Sequence, residues 1–549
     1  MKISFPKTTL KAAISSTATS LEQMATFNLP AYSGPWDRAA INHFLRRTTL
    51  GHSYADVTSL LDLSHADAVD LVLTDPGMPS LPINYDEEND PNVPIGETWV
   101  ETPLTSGVNG GYRRRSMQSW IMRQAMESGL NVKERMVIFW HNHFVTANIA
   151  DWRFTWEYMK TIHQHGLGNF KAFVDAITID PSMLRYLNGN VNTKNAPNEN
   201  YARELLELFT IGKGPLAGPG DYTNYTEDDI VAIARVLTGW RDRGHNSSTN
   251  PVYIEFRPDQ HDTDTKQLSH RFDNQVIENA DDNEYKVLLD IIFSKDEVAR
   301  YMCRKFYRYF VSDQIDEAIE SNVIEPLAQI MIANNYEIAP TLEALFLSDA
   351  FMKEDIRGVL IKNPLEFLMS TIKSTGVNFD QNNMQTYHTI HYSVFFRLRD
   401  MQMEIYNHDS VAGWQAYYQA PGFSRLWLSA VTMPQRQYVT DRFTRYQYNN
   451  SGIGYRIYPL DVIENLPNPY DPNVMITDLA ELFYPNEITE NQVNFLKSIL
   501  IPGLPDFEWT TEYADYLADP DNVNLKNAVE DKLRDLFQAM MSLSEFYLF

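Results

Sequence analysis

Apolar side chains that recur every three or four residues are the feature of this sequence that most constrains its fold. After Thr226, for example, Ile230, Ala234 and Leu237 fall on one face of a helix. Thr226 is followed three residues later by an aspartate, which is the pattern of a capping box at a helix start. These features predict a helix from Thr226 to Trp240. The same start signal occurs at Ser64 with Asp67 and at Ser294 with Glu297.

Helical periodicity covers much of the remaining chain, whereas strand signals are few. Only residues 252–256 alternate weakly, and no strand pattern repeats at the spacing expected of a β-sandwich. The sequence therefore predicts a mainly α fold, a multi-helix array with long irregular loops and at most a small β element. The other predicted helices are 36–48, 64–74, 112–127, 132–143, 154–165, 169–179, 198–211, 284–293, 294–310, 317–333 and 364–374.

The chain is longer than one hydrophobic core usually organises, since it has 549 residues. Residues 1–35 contain scattered Lys, Ser and Thr residues and no long apolar run, and they are predicted to be a flexible N-terminal arm. Residues 36–434 form the predicted main helical body. A Tyr- and Asn-rich stretch, residues 435–476, is predicted to be an irregular elaboration. Residues 477–549 are predicted to be a C-terminal helical section packed on the main body.

Charge and composition exclude several classes of function. The 72 acidic residues exceed the 46 Lys and Arg residues, and the net charge of −26 disfavours nucleic acid as a partner. No window has the 18 to 20 apolar residues needed to span a membrane. A single cysteine, Cys303, excludes an internal disulfide and a multi-thiolate zinc site. The N-terminus lacks the apolar run of a signal peptide, which favours a cytoplasmic location.

A pair of histidines, His141 and His143, ends the helix predicted over 132–143. Continued along the helix, the apolar stripe includes His143, while His141 lies about 200° away from it. Both imidazoles can therefore reach one metal ion only if the helix ends or unwinds at this point. The alternative is that both histidines are hydrogen-bonded in a packing layer at the helix end.

A polar stripe on the helix predicted over 198–211 contains Asn200, Arg203, Glu204 and Glu207. Glu204 lies only about 60° from the centre of the apolar face, so we expect it to be partly buried. A buried carboxylate needs a cation, a metal or several hydrogen-bond donors. The alternative is an Arg203–Glu207 salt bridge on a solvated face.

His261 and Asp262 lie in a loop after the predicted strand, and Lys266 follows them. The pair offers one nitrogen and one oxygen ligand, which suit zinc, iron or manganese, or else an imidazole base oriented by a carboxylate. The alternative is an aspartate that stabilises a turn beside an exposed histidine. Motifs typical of serine hydrolases, P-loop proteins and dinucleotide-binding proteins do not occur.

Several of these segments also resemble a bacterial family known as domain of unknown function 1800. The resemblance extends over roughly residues 36–549. It rests on the combination of several family motifs, because each motif alone is weak evidence. It implies a largely helical fold, and it implies a possible partner of the sulfatase-like family called domain of unknown function 1501. Many relatives carry an export signal, so the resemblance favours a periplasmic or extracellular location. The matching segments are 43–51, 133–144, 198–212, 225–240, 256–266, 304–311, 362–367, Gly413–Trp414 and 544–546.

Two hypotheses about function follow from these residues. In the first, the protein is a metal-dependent hydrolase in which Glu207 acts as general base and Arg203 orients the substrate. Asn200, Lys266 and Trp414 would then contact the substrate. In the second, the protein is a non-enzymatic binding or scaffold protein for carbohydrate or protein surfaces, and the same polar residues form a structural network. The predicted ligands of the divalent metal, zinc, iron or manganese, are His141, His143, Glu204, His261 and Asp262.

Overall fold

The helical pattern of the sequence is reproduced in a computed structural model, which describes residues 18–105, 107–377, 379, 383–446, 448–450 and 453–549. Residues 18–26 are helical. The α-helices that follow are Arg38–Thr48, Tyr54–Leu60, His65–Leu73, Gly110–Glu127, Lys133–His143, Trp152–His165, Phe170–Thr178, Pro181–Tyr186, Glu199–Glu204, Glu227–Val236, Glu284–Phe293, Glu297–Phe310, Glu317–Ile319, Glu325–Ala333, Ile338–Leu347, Asp349–Met352, Pro364–Ser374, Met384–Asp400, Thr432–Asp441, Pro459–Ile463, Pro472–Phe483, Glu490–Leu500, Asp506–Ala518 and Val523–Ser542.

Shorter helical segments join these helices. Three of them are π-helical, which means that their backbone hydrogen bonds span one residue more than those of an α-helix. They are Leu205–Thr210, Glu320–Ile324 and Arg442–Tyr446. The 3₁₀ segments are Gly189–Val191, Pro258–Gln260, His270–Phe272, Asp281–Asn283, Glu354–Ile356, Gln415–Tyr417, Phe423–Trp427 and Ser544–Tyr547.

The β structure of the described residues consists of antiparallel two-stranded sheets. It is small and scattered, which confirms the prediction of a mainly α fold with a small β element. The predicted strand over 252–256 is present as Tyr253–Phe256 and pairs with Trp240–Arg243, of which only Trp240 lies in a predicted helix. The paired strands are Leu216–Gly218 with Asp221–Tyr222, Trp240–Arg243 with Tyr253–Phe256, Lys266–Gln267 with Val276–Ile277, and Tyr448–Asn450 with Ile453–Tyr455.

Two of the predicted helix starts are confirmed and one is wrong. Ser64 and Thr226 both form capping boxes with the aspartate three residues later. Ser294, in contrast, ends the preceding helix, because its hydroxyl donates to the Ile291 carbonyl, and the next helix begins at Glu297. The helix after Thr226 also ends early, at Val236, because Gly239 adopts a positive φ of 98° before the strand begins at Trp240.

The segments predicted from composition have more structure than expected. Residues 1–17 of the predicted arm lie outside the described residues, but Met24 and Leu29 are buried, and the Tyr32 N–H donates to the Leu347 carbonyl at 2.8 Å. The stretch 435–476 contains helical segments and a hairpin. The predicted boundaries at 434 and 476 fall inside the helices Thr432–Asp441 and Pro472–Phe483. Buried apolar side chains form one continuous cluster from Met24 to Tyr547.

A buried arginine joins the first long helix to distant parts of this cluster. The Arg47 guanidinium donates to the carbonyls of Phe310, Val311 and Ile356 at 3.3, 3.1 and 2.7 Å. Its side chain is fully buried. These hydrogen bonds satisfy carbonyl groups that water cannot reach. None of the helices in the described part of the chain is both long and apolar enough to span a membrane.

We expect Arg47→Met to lower the free energy of unfolding by about 3 kcal/mol, because it leaves buried carbonyls unpaired while keeping most of the side-chain volume. Arg38→Met, on the same helix, is the control. Arg38 is one-third exposed and pairs with Asp478, so its loss should cost at most about 1 kcal/mol. Urea unfolding of both variants measures the difference. Equal losses in the two variants would contradict the role assigned to Arg47.

Candidate functional site

The first predicted histidine, His141, lies in the last turn of the helix Lys133–His143 and is fully buried. Its Nε2 accepts a hydrogen bond from the backbone N–H of Tyr406 at 2.9 Å. Its Nδ1 lies 3.0 Å from the Tyr158 hydroxyl, which donates to the Phe144 carbonyl at 2.6 Å. Nδ1 is therefore the protonated nitrogen. Burial lowers the pKa of His141 to about 3, which keeps the ring neutral.

The next residue, Asn142, holds the same loop at a second point. Its Oδ1 accepts the backbone N–H of Trp414 at 2.8 Å. Gly413 makes this approach possible, because a Cβ at this position would lie 2.6 Å from the Asn142 backbone oxygen. The Trp414 ring lies 4.1 Å from the His408 ring, which in turn lies 4.6 Å from the His141 ring. Residues 405–414 are thus fixed on the helix end, and we call them the clamped loop.

The second predicted histidine, His143, points to a different part of the fold. Its Nε2–H donates to the Phe209 carbonyl at 3.0 Å, and its Nδ1 accepts from Lys305 Nζ at 3.0 Å. Burial lowers the pKa of Lys305 to about 7. Phe209 belongs to the π-helix Leu205–Thr210, so His143 anchors the segment that carries Glu207.

The residues of the predicted polar stripe contact different partners. Arg203 binds both carboxylate oxygens of Glu227, at 2.9 and 2.8 Å, instead of pairing with Glu207. Glu207 accepts from the Tyr225 hydroxyl at 3.0 Å. Burial and the neighbouring Glu207 raise the pKa of Glu204 to about 7. Asn200 is exposed on the first turn of the helix Glu199–Glu204.

The residues of the third predicted group, His261, Asp262 and Lys266, do not lie together. His261 and Lys266 are buried, whereas Asp262 is partly exposed. His261 Nε2 lies 3.1 Å from Glu284, which also forms an ion pair with Lys266 at 2.5 Å, and all three side chains are fully buried. Burial lowers the pKa of His261, but its hydrogen bonds to Glu284 and to the Thr238 carbonyl raise the pKa above its usual value. Asp262 lies outside this group.

The Asp262 carboxylate is bound by one partner through both oxygens. Arg235 Nε and one of its terminal nitrogens contact it at 2.7 and 3.1 Å. This pair lowers the pKa of Asp262 although burial acts in the opposite direction. Asp262 is therefore part of an ion pair, whereas its neighbour His261 faces the core.

The predicted metal ligands do not share a centre as they are arranged in the fold. Both ring nitrogens of His141, His143 and His261 already have hydrogen-bond partners, and both oxygens of Asp262 contact Arg235. No group of three or more His, Cys, Asp or Glu residues in the described ranges is placed to hold a metal ion. These residues do not fit one divalent ion, and the metal cofactor stays a prediction.

The clamped loop forms the wall of an open cleft, whose first lobe has a volume of about 390 Å³. Its predicted binding residue, Trp414, is 7% exposed and lies beside Trp427, with ring centroids 6.3 Å apart. The other lining side chains are mostly amides, carboxylates and a hydroxyl, together with Arg399 and the apolar Ala416 and Leu426. Residues that line this first lobe include Gln402, Asp409, Ser410, Trp414, Gln415 and Trp427.

The second lobe lies beside the first and has a volume of about 480 Å³. Arg399, Glu404 and Asn407 line both lobes and form a shared wall between them. Trp152 is partly exposed in this lobe, and its ring packs edge-to-face with the Tyr406 ring at a centroid distance of 5.7 Å. Residues that line this second lobe include Gly110, Arg114, Gln118, Trp152, Phe396 and Tyr406.

Several buried polar atoms in and behind the cleft lack hydrogen-bond partners among the described residues. They are Gln118 Oε1, the Tyr406 hydroxyl and both ring nitrogens of His408. These residues are 9%, 6% and 5% exposed, respectively. A buried polar atom without a partner costs about 1 to 3 kcal/mol, so a contact with water or a ligand at these side chains would be favourable.

Comparison with protein families identifies the chain. Residues 43–548 match the family described as Protein of unknown function (DUF1800). The chain belongs to the DUF1800 family. No curated protein and no solved structure matches it. This match confirms the resemblance seen in the sequence. In this DUF1800 protein, the helix end, the clamped loop and both lobes lie inside the matched region.

Sequence reasoning identified part of this DUF1800 cleft and missed the rest. It singled out Trp414 and the histidine pair, but it did not find Asn142, His408 or Gln118. The proximity of Asn142 to a Gly-Trp turn more than 270 positions later carries no local signal.

We expect Gly413→Ala to lower the free energy of unfolding by about 2 to 4 kcal/mol, because alanine is strained at a φ of 89° and overlaps with Asn142. Gly77→Ala is a matched control. Gly77 has a φ of 85° but no atom within 4 Å of an added Cβ, so only the backbone cost of about 1 kcal/mol should appear. Urea unfolding compares the two. A similar loss in both variants would argue against close contact at Gly413.

A second prediction concerns acid stability. The pKa of His141 is about 3 in the fold and 6.5 when unperturbed, so the unfolded chain takes up a proton first as the pH falls. This histidine therefore costs stability progressively below pH 6.5, by about 2 kcal/mol at pH 5.

We expect the loss of unfolding free energy between pH 7 and pH 5 to be about 2 kcal/mol smaller in His141→Gln than in the wild-type protein. Urea unfolding at both pH values measures this loss. His270→Gln, at an exposed position, is the control and should retain most of the wild-type pH dependence. An unchanged loss in His141→Gln would show that His141 is accessible to protons in the fold.

Proposed function

We propose that this protein is a carbohydrate-binding protein and that the two-lobed cleft is its binding site. The observation that carries the proposal is the pair of unpartnered buried atoms, Gln118 Oε1 and the Tyr406 hydroxyl, at the wall of an open lobe. One is an acceptor and the other is both a donor and an acceptor. Both side chains line the lobe, and a rotation that brings either unpartnered atom to the lobe surface would let a sugar hydroxyl group satisfy it.

The size and composition of the cleft support this proposal. Each lobe falls within the range of about 300 to 1,000 Å³ typical of small-molecule sites. Trp152 is partly exposed and provides an aromatic surface, whereas Trp414 and Trp427 line the first lobe with only 7% and 4% of their area exposed. Amide and carboxylate side chains line the lobes beside them. A sugar ring has an apolar face and a polar rim, so this mixture matches its surface.

The clamped loop supports the proposal through its rigidity. The loop backbone donates two hydrogen bonds, to His141 Nε2 and Asn142 Oδ1, and these fix the loop before any ligand arrives. A wall that is already ordered loses little conformational entropy on binding, which favours affinity. The histidine and asparagine of the helix end therefore act as positioning residues in this proposal.

Metal-dependent hydrolysis, the other hypothesis, has weaker support. The ligand atoms of His141, His143, His261 and Asp262 already take part in hydrogen bonds and ion pairs, and these residues are spread over three separate groups of contacts. The sulfatase-like partner implied by the family resemblance is a separate proposal. Copurification of the two proteins tests it, and a lack of association at micromolar concentration would speak against it.

We expect a panel of neutral and acidic oligosaccharides to contain ligands, and Trp152→Ala to weaken their binding by about tenfold or more, because it removes an aromatic surface from the second lobe. Isothermal titration calorimetry measures the affinity. Phe507→Ala is the control, since Phe507 is 63% exposed and does not line either lobe. Failure of the whole panel to bind, or equal affinities in both variants, would refute the proposal.

A further inference from the structure

We propose that the second lobe binds the acidic group of an acidic saccharide, either a uronic acid carboxylate or a sulfate ester. This inference rests on the proposed carbohydrate-binding function and specifies its ligand class. Three features of the lobe carry it: the start of a long helix, two arginines without acidic partners, and buried polar atoms that lack hydrogen bonds.

The helix Gly110–Glu127 begins at the lobe with its first N–H groups uncapped. The side chain of the preceding residue, Asn109, makes no capping hydrogen bond, and the first turn contains no acidic residue. Gly110 and Gly111 line the lobe and are exposed. Free N–H groups and the helix dipole make such an end favourable for a negative charge.

Two arginines face the same lobe without an acidic partner. Arg114 and Arg399 are exposed, and no ion pair joins either of them to a carboxylate in the described part of the chain. Unpaired arginines are unexpected in a protein with 72 acidic and 46 basic residues. Arg399 rests on the Phe396 ring at 4.7 Å, which restricts its orientation. Arg114 lies near a helix N-terminus, where a positive charge is unfavourable until an anion binds.

The unpartnered buried atoms supply the independent evidence for a ligand. Gly110, Arg114 and Gln118 are spaced four residues apart, so they lie along one face of the helix. Gln118 Oε1 and the Tyr406 hydroxyl are more than nine-tenths buried and lack partners among the described residues. A saccharide with its acidic group at the helix start would lie beside Gln118 and Tyr406, and rotation of these side chains would bring their unpartnered atoms to the hydroxyl groups of the same sugar.

Matched pairs of ligands test this inference. Hexagalacturonate and its full methyl ester share one backbone and differ in charge, as do a sulfated carrageenan tetrasaccharide and its desulfated form. We expect the acidic member of one pair to bind at least about tenfold more tightly than its neutral partner, as measured by calorimetry at constant ionic strength. The pair that shows the preference identifies the acidic group as carboxylate or sulfate.

Variants of the arginines show whether the preference arises in the second lobe. Arg114→Gln and Arg399→Gln should each remove most of the preference, so that the acidic and the neutral member of the pair then bind with affinities within about twofold of each other. Arg115→Gln makes the same change of charge one residue along the helix, outside the lobe, and should preserve the preference. All three melting temperatures are compared with that of the wild-type protein, and Arg114→Met, which also removes the charge, replaces Arg114→Gln if that variant does not fold.

The outcomes separate the inference from the proposal on which it rests. Equal binding of the acidic and neutral members, or a preference that survives both arginine variants, overturns the inference and leaves the carbohydrate proposal standing. If no member of either pair and no oligosaccharide of the wider panel binds, the carbohydrate proposal fails and the inference fails with it.

Discussion

The cleft depends on two hydrogen bonds between one helix end and the backbone of a loop far away in the sequence. His141 and Asn142 accept the N–H groups of Tyr406 and Trp414 and thereby hold the loop between these two residues. Because a neutral imidazole is required at His141 Nε2, its low pKa is part of the same constraint. The loop separates the two lobes, so their shape follows from this contact.

The local part of the fold could be predicted from the sequence, and the long-range part could not. The helix Pro364–Ser374 and the capping boxes at Ser64 and Thr226 follow from short-range periodicity and side-chain chemistry. The helix Met384–Asp400 was not predicted, because its buried face includes His388 and His391, which break the apolar pattern.

The histidine pair shows the same limit at the level of the site. Sequence spacing restricts which side chains of one helix can meet, but it does not say what lies opposite them. His141 and His143 are two residues apart and contact different regions, the clamped loop and the π-helix Leu205–Thr210. Their partners lie 265 and 66 positions away. Only the packed fold shows that both rings serve as anchors for backbone.

The side chains that hold the clamped loop differ from those that face the cleft, and this separation has an evolutionary consequence. The atoms that hold the loop face the protein interior, whereas Gln402, Glu404, Asn407 and Asp409 face the cleft from the same stretch of chain. Substitutions at those four positions can therefore alter ligand choice without weakening the scaffold. We expect members of the family to diversify there while retaining the histidine, asparagine and glycine that keep the loop in place.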